Sequence, residues 1–332
     1  MKLSESRTSR RTVKGTVTVV GSYIVALVMD VERIPLEGET VIGRNYHTTH
    51  GGKGSNMAAC AARLGAEATF FGKIGRDAFG ESFLRLLERE RVKPHAVLFS
   101  EKTPTAVGFI VFSAKGTNLI VIDMGANGEF LPSDIEARAE VVQGAGVSLS
   151  PLEIPLQTAL AAARLAKAAG RKFILNPAPA QDLRQADLSQ VFALTPNERE
   201  GRVCLGLPAD ASVSDHDVAR RLLQLGPEHI VLTRGEKGVL WTSSSGIVVV
   251  PSLPVDVVDT VGAGDAFNAG LAVGLSESRP MLEAISLGVT AASLSTRRRE
   301  TIESYVYRAE ADQHAGKLLD AVKTLKRAGG GL

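Results

Sequence analysis

The chain has 332 residues, 44% of them hydrophobic, enough to bury a sizeable core as one large or two modest domains. A net charge of +2, with no basic stripe interleaved with aromatics, argues against nucleic acid as a partner, and no apolar run approaches the ~18 residues of a membrane span. Only Cys60 and Cys204 occur, in unrelated contexts, which excludes a disulfide framework and a CxxC metal site and fits a reducing, cytoplasmic setting.

Residues 1–15, "MKLSESRTSRRTVKG", are basic and hydroxyl-rich and lack the apolar h-region of a secretory signal, so they are expected to be a disordered extension. "TVTVVGSYIVALV" (16–28) reads as the first strand region, and "SNMAACAARLG" (55–65) as a helix ended by Gly65. "EATFFGKIG" returns as strand, followed by an amphipathic helix, "AFGESFLRLLERE" (78–90). From "GVSLS" onward strands and helices alternate: helix 155–169, strands "KFILNPAP" and "VFALT", a helix near 215–225, then strand "HIVLTRG". "GVLWTSS" and "GIVVVPS" (246–252) form a hairpin, and helices follow at 263–275, 281–294 and 308–327. This alternation predicts one α/β domain over 16–330, a parallel sheet with crossover helices. Two segments break the rhythm. "TVIGRNYHTTHGG" (40–52) and "TAVGFIVFSAKGTNLIVIDMGAN" (105–127) carry strand sequence without intervening helices, and "SAKGTN" is a hairpin turn by composition. Strands that pair only with one another form a separate small sheet, expected as a β lid over about 31–52 and 104–126.

The most informative stretch is "VDTVGAGDAFNAG" (258–270). Gly262, Ala263 and Gly264 leave backbone N–H groups uncovered at a helix start, a place that attracts phosphate. Asp265 there would repel phosphate, unless its task is to take a proton from whatever attacks it. The stretch is neither a Walker A loop, since no Gly-Lys-Ser/Thr follows, nor a dinucleotide fingerprint, since Phe267 stands where the third glycine belongs. A plain Gly-rich strand-to-helix turn is the simpler alternative, against which Asp259, Thr260 and Asp265 count.

In "HGGKGSNMAA" (50–59), Gly51, Gly52 and Gly54 allow close backbone approach to a ligand, and Lys53 and Asn56 offer donors; a turn with a solvated lysine reads equally well. In "LTPNERE" (194–200), Asn197 and Glu200 have the spacing of a capping box and also suit a magnesium–water shell, and both readings can hold at once. Glu153 in "SPLEIP" follows a strand, where an ordinary helix start is the competing reading; "LNPAPA" (175–180) is a rigid turn. "LTRGEKGV" (232–239) places two glycines in a hairpin with a backbone-lined pocket. His47 and His50 would point to opposite faces of an extended segment, which speaks against a metal role.

"GETVIG", "GGKGSN", "LNPAPA", "TPNE" and "DTVGAGD" stand in one order from about Val17 to Ser295, and together they resemble the PfkB family of carbohydrate kinases, its ribokinase-like branch in particular. The resemblance implies a doubly wound αβα sandwich with a small β-sheet lid that often serves as a homodimer surface. It implies phosphorylation of a sugar hydroxyl by ATP with Mg²⁺. Asp265 would be the general base, and the N–H groups of Gly262, Ala263, Gly264 and Asp265 the anion hole. Gly51, Gly52, Lys53, Asn56 and Glu153 would hold the sugar. Asn197, Glu200, Thr233, Gly235, Gly238 and Gly264 would serve the nucleotide, with Glu200 meeting Mg²⁺ through water. Asp259 and Val261 would sit at a loop binding a monovalent cation such as K⁺.

This chain departs from that pattern twice. Where the branch reads Gly-Ser-x-Asn-x-Asp, it has "GSYIVA", so Ile24 and Ala26 replace two sugar-gripping side chains, and Asp30 is about 13 Å along the strand. A sugar other than free ribose is therefore expected. A nucleoside kinase and a catalytically decayed sugar sensor are the alternatives. The second departure is "STRRRETIES" (295–304), in which an arginine among Arg297 to Arg299 would replace the monovalent cation or simply form a solvated basic loop.

Overall fold

The structure, a computed structural model, describes residues 15–328, with side chains up to Asp320; the expected N-terminal extension lies outside the described residues except for Gly15. Among the described residues thirteen strands build two sheets: β1 Thr16–Val20, β2 Ile24–Val31, β3 Arg44–Gly51, β4 Glu67–Gly75, β5 Lys93–Ser100, β6 Ala106–Ser113, β7 Asn118–Asp123, β8 Val147–Pro151, β9 Lys172–Asn176, β10 Ala193–Leu194, β11 His229–Thr233, β12 Val239–Ser243 and β13 Gly246–Val250. The large sheet has the order β13-β12-β11-β10-β9-β8-β1-β4-β5, and the small one β3-β2-β6-β7. Pairing is parallel from β11 through β5 and antiparallel only at the β11-β12-β13 edge.

Successive side chains of a strand point to opposite faces, and here each face has its own core. Val17, Val19, Phe70, Leu149 and Val231 pack on one side with the helices Lys53–Arg63, Ala78–Arg89, Ala263–Ser276 and Met281–Ser295. Val20, Phe71, Phe173, Leu175 and Ile230 pack on the other with Leu156–Ala168 and Asp215–Leu223. Helices on both faces of a mostly parallel sheet make the doubly wound αβα sandwich. Among the described residues no helix is long and apolar enough to cross a membrane.

One strand boundary corrects the sequence reading. The run 16–28 is not one strand: β1 belongs to the large sheet, β2 to the small one, and the chain changes sheets at Gly21–Tyr23. The cause is long-range. Asn127 clamps Tyr23 on both backbone groups, accepting its N–H at 3.2 Å and donating to its carbonyl at 2.9 Å. The start of the Lys53–Arg63 helix packs against Ser22, whose carbonyl accepts the Ser55 N–H at 2.9 Å. The small sheet therefore begins at Ile24, earlier than the expected 31. "VFALT" also shrinks, to the two residues of β10. The expected hairpins at 105–127 and 239–252 are present in register.

Candidate active site

In open α/β sheets ligands gather at the carboxyl ends of the strands. Here Asn176 closes β9, Thr195 follows β10, Thr233 closes β11, and Asn197 lies beside Thr233 in a parallel bridge. All four line a cavity of about 200 Å³ that also takes in Lys53, Glu200, Gly262, Gly264 and Asp265. The Ala263–Ser276 helix opens onto it. Its N-cap, Gly262, sits at φ +77° with no side-chain cap, so the N–H groups of Gly264 and Asp265 are left for a ligand, whereas that of Ala263, also expected to be free, closes on the Thr260 carbonyl at 3.3 Å. Glycine reaches that left-handed conformation without strain.

Asp265 is 4% exposed in that first turn. Asn56 donates to its Oδ2 at 2.9 Å, and Lys53 Nζ stands 3.9 Å from Oδ1. Burial pushes the Asp265 carboxyl above the ordinary aspartate range, against the pull of Lys53 and Asn56. The same charge raises Lys53 in turn. The Asn56 Oδ1 is buried without a partner, an orphan acceptor next to the carboxylate that fits a hydroxyl-bearing ligand. Glu153 reaches the same region from β8: its Oε2 accepts the Lys53 N–H at 2.6 Å and the Ser22 hydroxyl at 2.5 Å. It thus supplies the acid that the first turn of the Lys53–Arg63 helix lacks, and burial raises its carboxyl too.

Asn197 and Glu200 form the capping box: Asn197 Oδ1 accepts the N–H groups of Arg199 and Glu200 at 2.9 and 2.8 Å, and Glu200 Oε2 accepts the Asn197 N–H at 2.8 Å. Both still line the cavity, so capping and exposure to a ligand coexist. Burial raises the Glu200 carboxyl. A carboxylate, an amide, a lysine and an uncapped helix start together are the donor set that a triphosphate with a hydrated divalent cation requires.

Gly51 and Gly52 lead from β3 into the Lys53–Arg63 helix, while Gly235 and Gly238 flank the turn after Thr233, neither of them in the cavity wall. Asp259 and Val261 lie on the exposed loop before the helix; Asp259 Oδ1 accepts the Val261 N–H at 3.0 Å and Oδ2 the Glu300 N–H at 3.3 Å. Arg297, Arg298 and Arg299 are exposed, and Arg298 pairs with Glu310 at 3.2 Å, which is the solvated-loop arrangement. Asp30 accepts from Asn45 at 2.9 Å. His50 pairs with the Tyr23 hydroxyl at 2.8 Å, and among the described residues no three His, Cys, Asp or Glu side chains group as a metal site.

Sequence reading missed Asn176, Thr195 and Asn268. Thr195 donates to Asn268 Oδ1 at 2.6 Å, Asn268 donates to the Gly264 carbonyl at 2.9 Å, and Asn176 donates to the Thr195 carbonyl at 2.9 Å. The signal was at hand for one of them: Asn268 is three residues past Asp265, on the same helix face.

A helix start open to an anion, with a buried carboxylate beside it and polar side chains at the strand ends, defines a phosphotransferase of the doubly wound class. The model of the pfkB family carbohydrate kinases matches residues 14–307. Ribokinase of Bacillus subtilis is 36% identical over 84% of this chain and 92% of its own. Deoxyribokinase of Salmonella typhimurium is 34% identical over 87% and 95%. The structure of Arabidopsis thaliana ribokinase complexed with ribose and ATP superimposes with a TM-score of 0.84 at 29% identity, covering 92% of this chain and 99% of that one. The chain belongs to the pfkB family of carbohydrate kinases and is an ATP-dependent enzyme of that family.

Proposed function

We propose that the enzyme transfers the γ-phosphate of ATP to a hydroxymethyl group of a small sugar other than free ribose. The observation that carries this reading is Asp265, buried at an uncapped helix start with Oδ2 held by Asn56. Oδ1 is then turned to an incoming hydroxyl and takes its proton. The hydroxyl oxygen forms a bond to the γ-phosphorus as the bond to the bridging oxygen breaks, and ADP leaves with that electron pair. The N–H groups of Gly262, Gly264 and Asp265 receive the charge on the moving phosphoryl group, that of Ala263 being taken by the Thr260 carbonyl, while Lys53 steadies Asp265. Gly51, Gly52, Asn56 and Glu153 hold the sugar; Asn197, Glu200, Thr233, Gly235 and Gly238 hold the nucleotide. Mg²⁺, through waters on Glu200, would supply charge neutralisation on the phosphates. A monovalent cation belongs, in this reading, to the Asp259–Val261 loop.

The acceptor follows from β2. Val25 and Leu27 turn into the main core, whereas Ile24 and Ala26 belong to neither core and lie in register with Gly51 and Thr49. A sugar edge placed there meets two apolar side chains, which offer its hydroxyls no hydrogen bond of their own. The best acceptor is expected to exceed D-ribose by about 10- to 100-fold in kcat/KM. An ADP-release assay over pentoses, deoxypentoses, hexoses, sugar alcohols and nucleosides tests this. Equal turnover of D-ribose overturns the specificity, a nucleoside as best acceptor replaces the sugar by a larger substrate suited to the same apolar edge, and silence across the panel overturns the kinase reading.

The small sheet also suggests a partner. β7 is an edge strand with every residue exposed, and Ile120, Val121 and Ile122 are 52%, 57% and 47% exposed, beside Phe109 at 52%. A flat apolar edge of this kind associates unless it is covered. A second copy of the chain, docking through the lid, is the proposed cover. Val121→Lys is expected to convert a dimer to a monomer in light scattering; a monomeric wild type would remove the proposal.

A further inference from the structure

The carbonyl of Gly262 has two donors. It accepts the Ala266 N–H at 2.9 Å as the first bond of the helix, and the Tyr305 hydroxyl at 3.2 Å from behind. Tyr305 is 1% exposed, so this hydroxyl has been taken fully out of water to reach that oxygen. A peptide unit is planar, and its C=O and N–H point opposite ways. The N–H of that same peptide, on Ala263, closes on the Thr260 carbonyl at 3.3 Å. One plane is therefore gripped from both sides, and the N–H groups of Gly264 and Asp265 are aimed from it into the cavity.

The segment that carries Tyr305 is itself anchored. Arg63 Nη1 donates to the carbonyls of Ile302 at 2.6 Å and Tyr305 at 2.9 Å. Its Nε and Nη2 hold Glu90 at 2.7 and 3.0 Å, with the two side chains 11% and 5% exposed. Arg63 sits in the last turn of the helix whose first turn carries Lys53 and Asn56. One helix thus serves the site twice, reaching Asp265 directly at its start and Gly262 through Tyr305 at its end.

We propose that Tyr305, anchored by the Arg63–Glu90 pair, is a positioning residue that holds the Gly262–Ala263 peptide so that the anion hole fits the transferring phosphoryl group. The proposal rests on the kinase reading above. Its role is felt where charge develops, so losing it lowers kcat and leaves ground-state binding in place. Tyr305→Phe removes the hydroxyl alone and keeps the buried ring.

The experiment is steady-state kinetics of wild type, Tyr305→Phe, Arg63→Lys and the double variant on the best acceptor, with melting curves confirming that each is folded. Lysine keeps a charge for Glu90 but lacks the planar fork that spans two carbonyls and a carboxylate. The expected result is a kcat about tenfold lower in Tyr305→Phe with KM for ATP and sugar within about twofold. Arg63→Lys should shift in the same way and add little in the double variant, since both act through one contact. An unchanged kcat in folded Tyr305→Phe, a loss expressed in KM, or losses that multiply in the double variant would each overturn the proposal. Absence of wild-type turnover would instead overturn the kinase reading.

Discussion

Asp265→Asn is expected to lower kcat by about 10²–10⁴-fold, the share of a positioned general base, with the protein still folded. The amide matches the carboxylate in shape but cannot take the hydroxyl proton. Stability should move little, because two effects oppose. Burial raises the Asp265 carboxyl, so its contribution to stability is full below the unfolded value and is lost as pH rises through the folded one; at neutral pH the buried charge costs stability, and removing it helps. Lys53, raised chiefly by Asp265, contributes stability present at neutral pH, and the substitution removes that partner. Lys53 is one-third exposed, which weakens its share by solvent screening. A melting temperature within about 3 °C of wild type, with turnover gone, is the predicted signature. The same shift sets the pH profile: the base must be ionised, so kcat/KM falls as pH drops through the raised Asp265 value, and its acid limb should lie above the ordinary aspartate pKa of about 4. Retained turnover in Asp265→Asn, or an acid limb at or below that value, would count against Asp265 as the base.

Gly54→Ala is expected to be strongly damaging to both stability and activity. A Cβ there would stand 2.4 Å from the Ser22 N, 2.6 Å from its carbonyl oxygen and 2.8 Å from the Gly21 carbonyl carbon. Every one of these is backbone, at the point where the chain passes from the large sheet to the small one. No side chain can rotate away, so the Lys53–Arg63 helix must back off. Overpacking of this kind costs about 1–3 kcal/mol or more, and here the helix start carries Asn56 and Lys53 away from Asp265. Reduced urea midpoint together with reduced kcat is the expected outcome. By contrast Gly264→Ala, whose Cβ would meet nothing within 4 Å, should be tolerated in stability. Equal stability of the two variants would show that the close approach at Ser22 is not a constraint.

Much of the local architecture was legible in the sequence. The Asn197–Glu200 capping box, the Gly-rich start of the Ala263–Ser276 helix and the hairpins are written within one turn of chain, so residue types a few positions apart suffice to read them. The ordered motifs carried the family because all but GETVIG, which lies in the turn before β3, mark the end of a strand or the start of a helix. The break at Gly21–Tyr23 was not legible, since β1 and β2 both read as strand and the boundary is imposed by Asn127, 104 residues away. Nor were Asn176 and Thr195 as site residues, whose partners lie on other elements.

The sequence by itself determined the elements and the chemistry available to them: a helix start of small residues at Gly262 to Gly264, an acid at 265, and apolar residues at 24 and 26 where polar ones would grip a sugar. Only the tertiary structure decided which groups meet. Asn56 bonds Asp265 across 209 residues, Ser22 meets Glu153 across 131, and Tyr305 reaches Gly262 across 43. Local patterns are set by the backbone geometry of a single turn or pleat, while these encounters follow from the order in which the strands lie side by side. That order is fixed by how both faces of the sheet are buried at once.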